Sequence, residues 1–424
     1  MNGESSLSPQ IRLGLQCRDL KRYADAEKHF KEALSANPLD DVALHLLATT
    51  LHAQDGRERE ALEVIDRAIS ADPNDSGHHA FRACVLTSLE RPREALTAAA
   101  TARELDPYSD FALTAEAQAH LGLRNWQEAE RAAREALAID ADQSAAANIL
   151  ATALRMQGRQ VENDAQIAGL LERDAEDPYT HLNAGWSALQ RGAHRDAERH
   201  FREALRIDPE FDAAREGLLT SFRARSPFYR AYLAYCMRLA RLKEGAQWAV
   251  IIGIYVIYRV LRGLASTVSP GLAIGIGALY LVFVLWGFVA NAVGNFMLLF
   301  DRFARYALRR NETVEAALVG GGVVAGLGLL ILGFAAGLTW PLIGGGALVV
   351  AAIPGAMVFT NRSKAGSWLF GAVAVAVLGS ATFFIAARAT GDQDLGSLAL
   401  RMLVISGFCA MISTWLSGVK PLRR

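Results

Sequence analysis

The chain has 424 residues, 52% of them hydrophobic, and its 44 Lys and Arg are matched by 44 Asp and Glu. That balance is an average: residues 1–221 carry 25 cations against 38 acids, a net −13, whereas residues 222–424 carry 19 against 6, a net +13. The acidic half has little with which to displace counterions from phosphates, which argues against a nucleic-acid partner.

The first twenty residues, MNGESSLSPQIRLGLQCRDL, have neither a basic n-region nor an apolar h-region and do not read as a signal peptide. Cys17, Cys84, Cys236 and Cys409 are scattered, so no disulfide framework or zinc ribbon is expected. A reducing, cytoplasmic setting is the simplest expectation for the first half.

Self-similarity then organises that half. Units start at Leu7, Asp41, Ser76, Asp110, Ser144, Pro178 and Asp212; the last five starts are 34 residues apart, and the second unit has one extra residue near Gln54–Gly56. A small residue recurs at the eighth position as Gly14, Ala48, Ala83, Ala117, Ala151 and Gly185. Further on, alanine recurs as Ala26, Ala61, Ala95, Ala129 and Ala197, and as Ala33, Ala68, Ala102, Ala136 and Ala204. Pro38, Pro73, Pro107 and Pro209 are expected to end the second helix of their units, because proline has no N–H to continue it. The pattern weakens where Ala141 and Ala175 replace proline and Asn163 replaces alanine. A generic Ala-rich bundle would have no reason to keep such a period; a stacked array does, since each helix pair buries its apolar face only against its neighbours.

This spacing of Leu-Gly, Ala, Phe, Ala and Pro resembles the tetratricopeptide (TPR) repeat. The resemblance implies an all-α solenoid of about six repeats plus a capping helix, Asp212–Arg223. It also implies that positions 2, 5, 9 and 12 of each repeat line a concave groove. Those positions include Ile11, Leu15, His45, Thr49, His52, Cys84, Thr114, Gln118, Asn148, Thr152, Arg155, Tyr179, Leu182 and Trp186. The lining is mixed and almost uncharged, which suits an extended or helical peptide with apolar anchors. Tyr179 and Trp186 are the expected anchors, because aromatics dominate binding hot spots; packing against the next repeat is the competing role for Trp186.

No constellation for catalysis is present. There is no phosphate loop with its Lys, no GxSxG and no HExxH. His78 and His79 are expected to be solvated residues at a repeat boundary rather than metal ligands. An enzyme is therefore not expected, and no cofactor is implied.

Residues 222–247, FRARSPFYRAYLAYCMRLARLKEGAQ, form a junction with six cations, one acid and five aromatics. Ser226-Pro227 should break the preceding helix. A new helix from Phe228 would align Phe228, Tyr232, Tyr235, Leu239 and Leu242 on one stripe. Its first part is expected to cap the last repeat. Arg230, Tyr235, Arg238, Arg241 and Lys243 are expected at the membrane interface, near anionic head groups.

Residues 248–424 read as about six transmembrane helices, near Trp248–Gly263, Gly271–Val293, Ala316–Gly337, Leu342–Phe359, Trp368–Ala387 and Leu398–Leu416. The first is short enough that an interfacial placement, and five spans, is the alternative. Counting from a cytoplasmic start, fifteen cations fall inside (six in the junction, then Arg302, Arg305, Arg309, Arg310, Arg362, Lys364, Lys420, Arg423 and Arg424) against three outside (Arg259, Arg262, Arg388). That bias predicts both termini on the cytoplasmic side of the membrane. None of these spans contains Asp, Glu, His or Lys, which argues against an ion-coupled transporter. With SPFYR and QWAVIIGIYVIYRVLR, the stretch WGFVANAVGNFMLLFDRFARYAL resembles the membrane tails of uncharacterised bacterial TPR membrane proteins. The whole reads as three parts, residues 1–221, 222–247 and 248–424, forming a membrane-anchored scaffold or adaptor for protein or peptide partners. The alternative is a docking component of a transport or export system whose membrane half is a conduit.

Overall fold

The computed structural model describes residues 7–361 and 363–416, so Arg362, Lys420, Arg423 and Arg424 of the charge count lie outside the described residues. It is 84% helical, with no strand among the described residues. In chain order the helices are α1 (Pro9–Asp19), α2 (Tyr23–Ala36), α3 (Asp41–His52), α4 (Glu58–Ala71), α5 (Ser76–Ser88), α6 (Pro92–Leu105), α7 (Asp110–Gly122), α8 (Trp126–Ile139), α9 (Ser144–Gln157), α10 (Gln160–Arg173), α11 (Pro178–Gln190), α12 (His194–Ile207) and α13 (Asp212–Arg223). After them come α14 (Pro227–Ala240), α15 (Glu244–Val268), α16 (Pro270–Leu299), α17 (Arg310–Ala336), α18 (Thr339–Thr360), α19 (Lys364–Thr390) and α20 (Gln393–Leu416). The helix starts from Asp41 to Asp212 coincide with the repeat starts read from the period.

Up to α12, odd and even helices alternate as the first and second helices of a repeat, and four local devices make them. Most first helices are N-capped: Ser8, Asp40, Asp75, Ser109 and Asp177 each accept a backbone N–H three residues on, at 2.9–3.3 Å. Each first helix is followed by a residue in the left-handed conformation: Lys21, Gly56, Glu90, Arg124, Gly158 and Gly192, with φ between 57° and 82°. Each second helix ends in an Asx turn, in which Asn37, Asp72, Asp106, Asp140, Asp174 or Asp208 accepts the N–H two residues ahead. Proline is therefore not what ends the second helix: α8 and α10, followed by Ala141 and Ala175, stop at the same place as the others.

The fourth device is ionic. Where the fifth residue of a second helix is acidic, it pairs with an arginine in or beside the next repeat's inter-helix turn. Arg57 reaches Glu27 at 2.5 Å, Arg159 reaches Glu130 at 2.6 Å, Arg191 reaches Asp164 at 2.5 Å and Arg225 reaches Glu198 at 2.9 Å. Where that position is Leu62 or Leu96, it joins the apolar packing instead.

The small residues have the role their spacing predicts. Ala26, Ala61, Ala95 and Ala129 are fully buried. A Cβ on Gly14 would stand 2.5 Å from the Phe30 ring, so only hydrogen fits between those two helices.

By its contacts the chain forms two compact units. One comprises Met1–Arg191, Glu203–Glu210 and Met237–Gln247; the other comprises Gly192–Arg202, Phe211–Cys236 and Trp248–Arg424. Boundaries drawn from composition at 221 and 247 differ from this division, because the junction segment is split at Met237. Its aromatic first part packs within the second unit, and its basic end packs against repeat turns of the first.

In the second unit α16 to α20 pack as neighbours. Gly326 and Gly345 meet at a close crossing of α17 and α18, where a Cβ on Gly345 would lie 2.5 Å from the Gly326 carbonyl oxygen. Ser380 and Ser406 share a 2.7 Å hydrogen bond between α19 and α20. Among the described residues six helices are long and apolar enough to cross a membrane, including Gly245–Val268 with 24 residues, so the first apolar segment is not short. Ile274, Leu279, Ile331, Phe334 and Val375 are each at least 70% exposed, an arrangement suited to lipid rather than water. The third such helix, Arg310–Ala336, begins earlier than expected and so takes in Glu312 and Glu315.

Candidate partner-binding groove

The expected groove residues separate into three groups. Ile11 and Asn148 are buried. Leu15, His45, Thr49, His52, Gln118, Arg155, Leu182 and Trp186 are half-buried, and Tyr179 is exposed. Asn148 is committed to repeat stacking: it donates to Asp177 at 2.7 Å, and its carbonyl oxygen accepts from Asn183 at 2.9 Å. Thr152 joins the same ladder by donating to Asn183 at 3.0 Å. Ile11 belongs to the apolar core of the first repeats. Neither Ile11 nor Asn148 is free to meet a ligand, because both of these position-5 side chains pack against neighbouring helices.

At the other end of the array, His45 and His78 bring Nδ1 atoms within 3.0 Å, and the rings of His45 and His52 both lie against Phe81. Burial, and then the neighbouring His78, pull the His45 pKa down to about 4, so this ring is neutral at ordinary pH. His78 itself is buried rather than solvated, because the third residue of α5 faces His45 of the preceding repeat. His79 is half-buried, with its ring Nε2 2.9 Å from the Pro73 carbonyl. Among the described residues no group of three His, Cys, Asp or Glu is placed to hold a metal.

Of the junction residues, Arg230, Arg238 and Lys243 are exposed, while Tyr235 and Arg241 are half-buried. Tyr235 packs edge-on to Phe283, with ring centroids 5.6 Å apart. Arg241 is gripped by repeat turns. Trp126 Nε1 donates to its carbonyl at 2.8 Å, Arg124 reaches the next carbonyl, of Leu242, at 3.4 Å, and Arg241 Nη2 donates to Gln190 at 2.9 Å. The residues gripping it were not legible in advance, because Arg124, Trp126 and Gln190 sit in or beside the inter-helix turns, outside the four groove positions.

The second unit has its own polar cluster. Arg223, at the end of α13, is 5% exposed; it donates to Asn295 at 2.9 Å and pairs with Glu216 at 2.9 Å. Tyr229 donates to Asn291 at 3.0 Å, and burial pushes its phenol pKa up. Arg215 meets Glu312 through both guanidinium nitrogens at 2.9 and 3.0 Å, Arg225 meets Asp301 at 2.6 Å, and Arg309 pairs with Asp212. Two asparagines that stand out in an apolar segment thus hold the ends of α13 and α14. Phe228, expected to cap the last repeat, is 80% exposed, and Tyr229 is buried in its place.

These features define a helical-repeat protein with a multi-pass membrane part. Tetratricopeptide-repeat family models match residues 18–83 and 114–178, and the chain is a tetratricopeptide-repeat protein. Among solved structures, it is similar to the Cut9–Hcn1 hetero-tetramer of APC/C, with 16% identity, a TM-score of 0.44, and coverage of 50% of this chain and 42% of that one. It is also similar to PilW, a type IV pilus biogenesis factor, with 18% identity, a TM-score of 0.41, and coverage of 49% and 96%. A third is a tetratricopeptide-repeat protein of Parabacteroides merdae, with 20% identity, a TM-score of 0.35, and coverage of 49% and 96%. No curated protein matches the chain. Such repeats are, as a class, protein-interaction modules rather than enzymes.

Proposed function

We propose that this protein is a membrane-anchored scaffold that binds cytoplasmic protein partners in its repeat groove and gathers them at the bacterial inner membrane, with both termini cytoplasmic. The observation that carries the reading is the chemistry of the groove's later repeats. Exposed Tyr179, with half-buried Leu182 and Trp186, offers apolar and aromatic surface beside a rigid hydrogen-bonded ladder. That combination suits a peptide with hydrophobic anchors. Fifteen cations in the junction, the intervening loops and the last residues, against three on the other side, support the orientation.

Photo-crosslinking in cells from positions 179, 182 and 186 of the full chain tests it. One recurrent partner should be trapped at all three positions, and Tyr179→Ala with Trp186→Ala should reduce capture about tenfold while the helical signal is retained. Equal capture from an outward-facing position such as 67 would remove the groove from the account.

A further inference from the structure

Within the first unit, two arginines stand together without an acid. Arg155 is in the last turn of α9, and no hydrogen bond or ion pair joins its side chain to any described residue. Arg241 lies over the same turn: a Cβ on Gly158, three residues after Arg155, would stand 3.1 Å from Arg241 Nη1. The Nε–H groups of both arginines are buried with no acceptor among the described residues. Burial, and the charge of Arg241 beside it, push the Arg155 pKa down to about 10. The carboxylates on neighbouring turns are already engaged: Glu130 by Arg159 and Gln157, and Asp164 by Arg191. The C-terminal end of α9 makes the cations tolerable, but it leaves both buried Nε–H donors without an acceptor among the described residues.

We propose that Arg155 and Arg241 together bind the phosphate of an anionic phospholipid head group. A phosphate offers several acceptor oxygens, and planar guanidinium groups match it with paired, charge-assisted hydrogen bonds. Lipid is favoured as the source by position. Three residues separate Arg241 from Gly245, where the 24-residue apolar helix Gly245–Val268 begins, so the pair lies within reach of the head-group layer that this helix enters. Exposed Arg238 and Lys243 flank it and add attraction to an anionic surface. The proposal rests on α15 entering a bilayer, and it takes Arg155, one of the expected groove positions, for lipid rather than for a peptide partner.

The test uses the full chain in nonionic detergent, with dihexanoyl phosphatidylglycerol as the probe, read by thermal shift and by titration. Saturable binding is expected, weakened about tenfold or more by Arg155→Gln and by Arg241→Gln, and unaffected by Arg67→Gln on an exposed helix face. Dihexanoyl phosphatidylcholine should bind far more weakly. If Arg155→Gln does not fold, Arg155→Lys and Arg241→Gln decide the matter. Binding that survives both glutamine substitutions overturns the site. Inorganic phosphate binding as tightly as the lipid, or a glutamate-rich peptide binding with the same arginine dependence, overturns the lipid as its ligand.

Discussion

Each inter-helix turn of the repeat region is made by the same few devices, whereas each crossing of the long apolar helices is made once. From α1 to α12 every first helix is followed by a left-handed residue and every second helix closes in an Asx turn, whatever the neighbouring side chains. Among α16 to α20 the contacts are particular: Gly326 on Gly345 and Ser380 on Ser406. The contrast shows where each region keeps its specificity. A repeat stacks correctly because many weak, equivalent signals agree. A lipid-facing bundle gains little from burying apolar surface and depends on how closely a few backbones approach.

If that contrast holds, the largest effect should come from crowding one crossing. Gly345→Val places a branched side chain 2.5 Å from a carbonyl oxygen and should cost about 3 kcal/mol. It should be seen as early loss of the monodisperse species on heating in detergent. Gly346→Val, with no atom within 4 Å of its Cβ, should behave as wild type. Equal damage from both would show that close approach is not what holds the bundle.

A middle-sized effect is expected at the ionic ladder. Arg57, and to a lesser degree Lys31, hold the Glu27 carboxyl down at about 2. A depressed acid contributes stability that is complete above its unfolded pKa of about 4.5 and is lost as pH falls toward 2. Glu27→Gln should therefore cost about 1–2 kcal/mol at pH 7, measured as hydrogen-exchange protection of α2 and α3. The difference from wild type should shrink as pH falls below about 4.5; a difference that stays constant with pH would assign the loss to packing.

The smallest effect is a gain. Glu90 holds φ 58°, where glycine pays no steric penalty, so Glu90→Gly should stabilise its turn by about 0.5–1 kcal/mol. Arg124→Gly at the equivalent place should gain less, because it also loses the bond to the Leu242 carbonyl. Hydrogen exchange across the two turns compares them directly.

The array was legible because its period appears in side chains: a hydrogen at Gly14 for the Phe30 ring, and a methyl at Ala26 or Ala61 between packed helices. What ends its second helices was read from the more conspicuous residue, proline, although Asp140 and Asp174 do the same work ahead of alanine. The membrane helices were legible by length and apolarity, but their neighbours were not, since Gly322 and Gly326 look alike in sequence and only Gly326 meets another backbone. The repeat did not foretell which groove positions are taken up by packing, as Ile11 and Asn148 are. The Arg155–Arg241 cluster, with no acid beside it, was not legible, because it depends on a segment more than eighty residues away in the chain folding back onto α9.

The turn chemistry also bears on how such an array can change in size. Because the six Asx turns are interchangeable, excising the 34 residues from one of these aspartates to the next, as from Asp106 to Asp140, leaves an aspartate to accept the same N–H at the join. The five-residue linker between α3 and α4 already accommodates extra chain by letting Gly56 turn into open space. Array length is thus a quantity that duplication or deletion can adjust in whole units, without renegotiating the packing of the helices that remain.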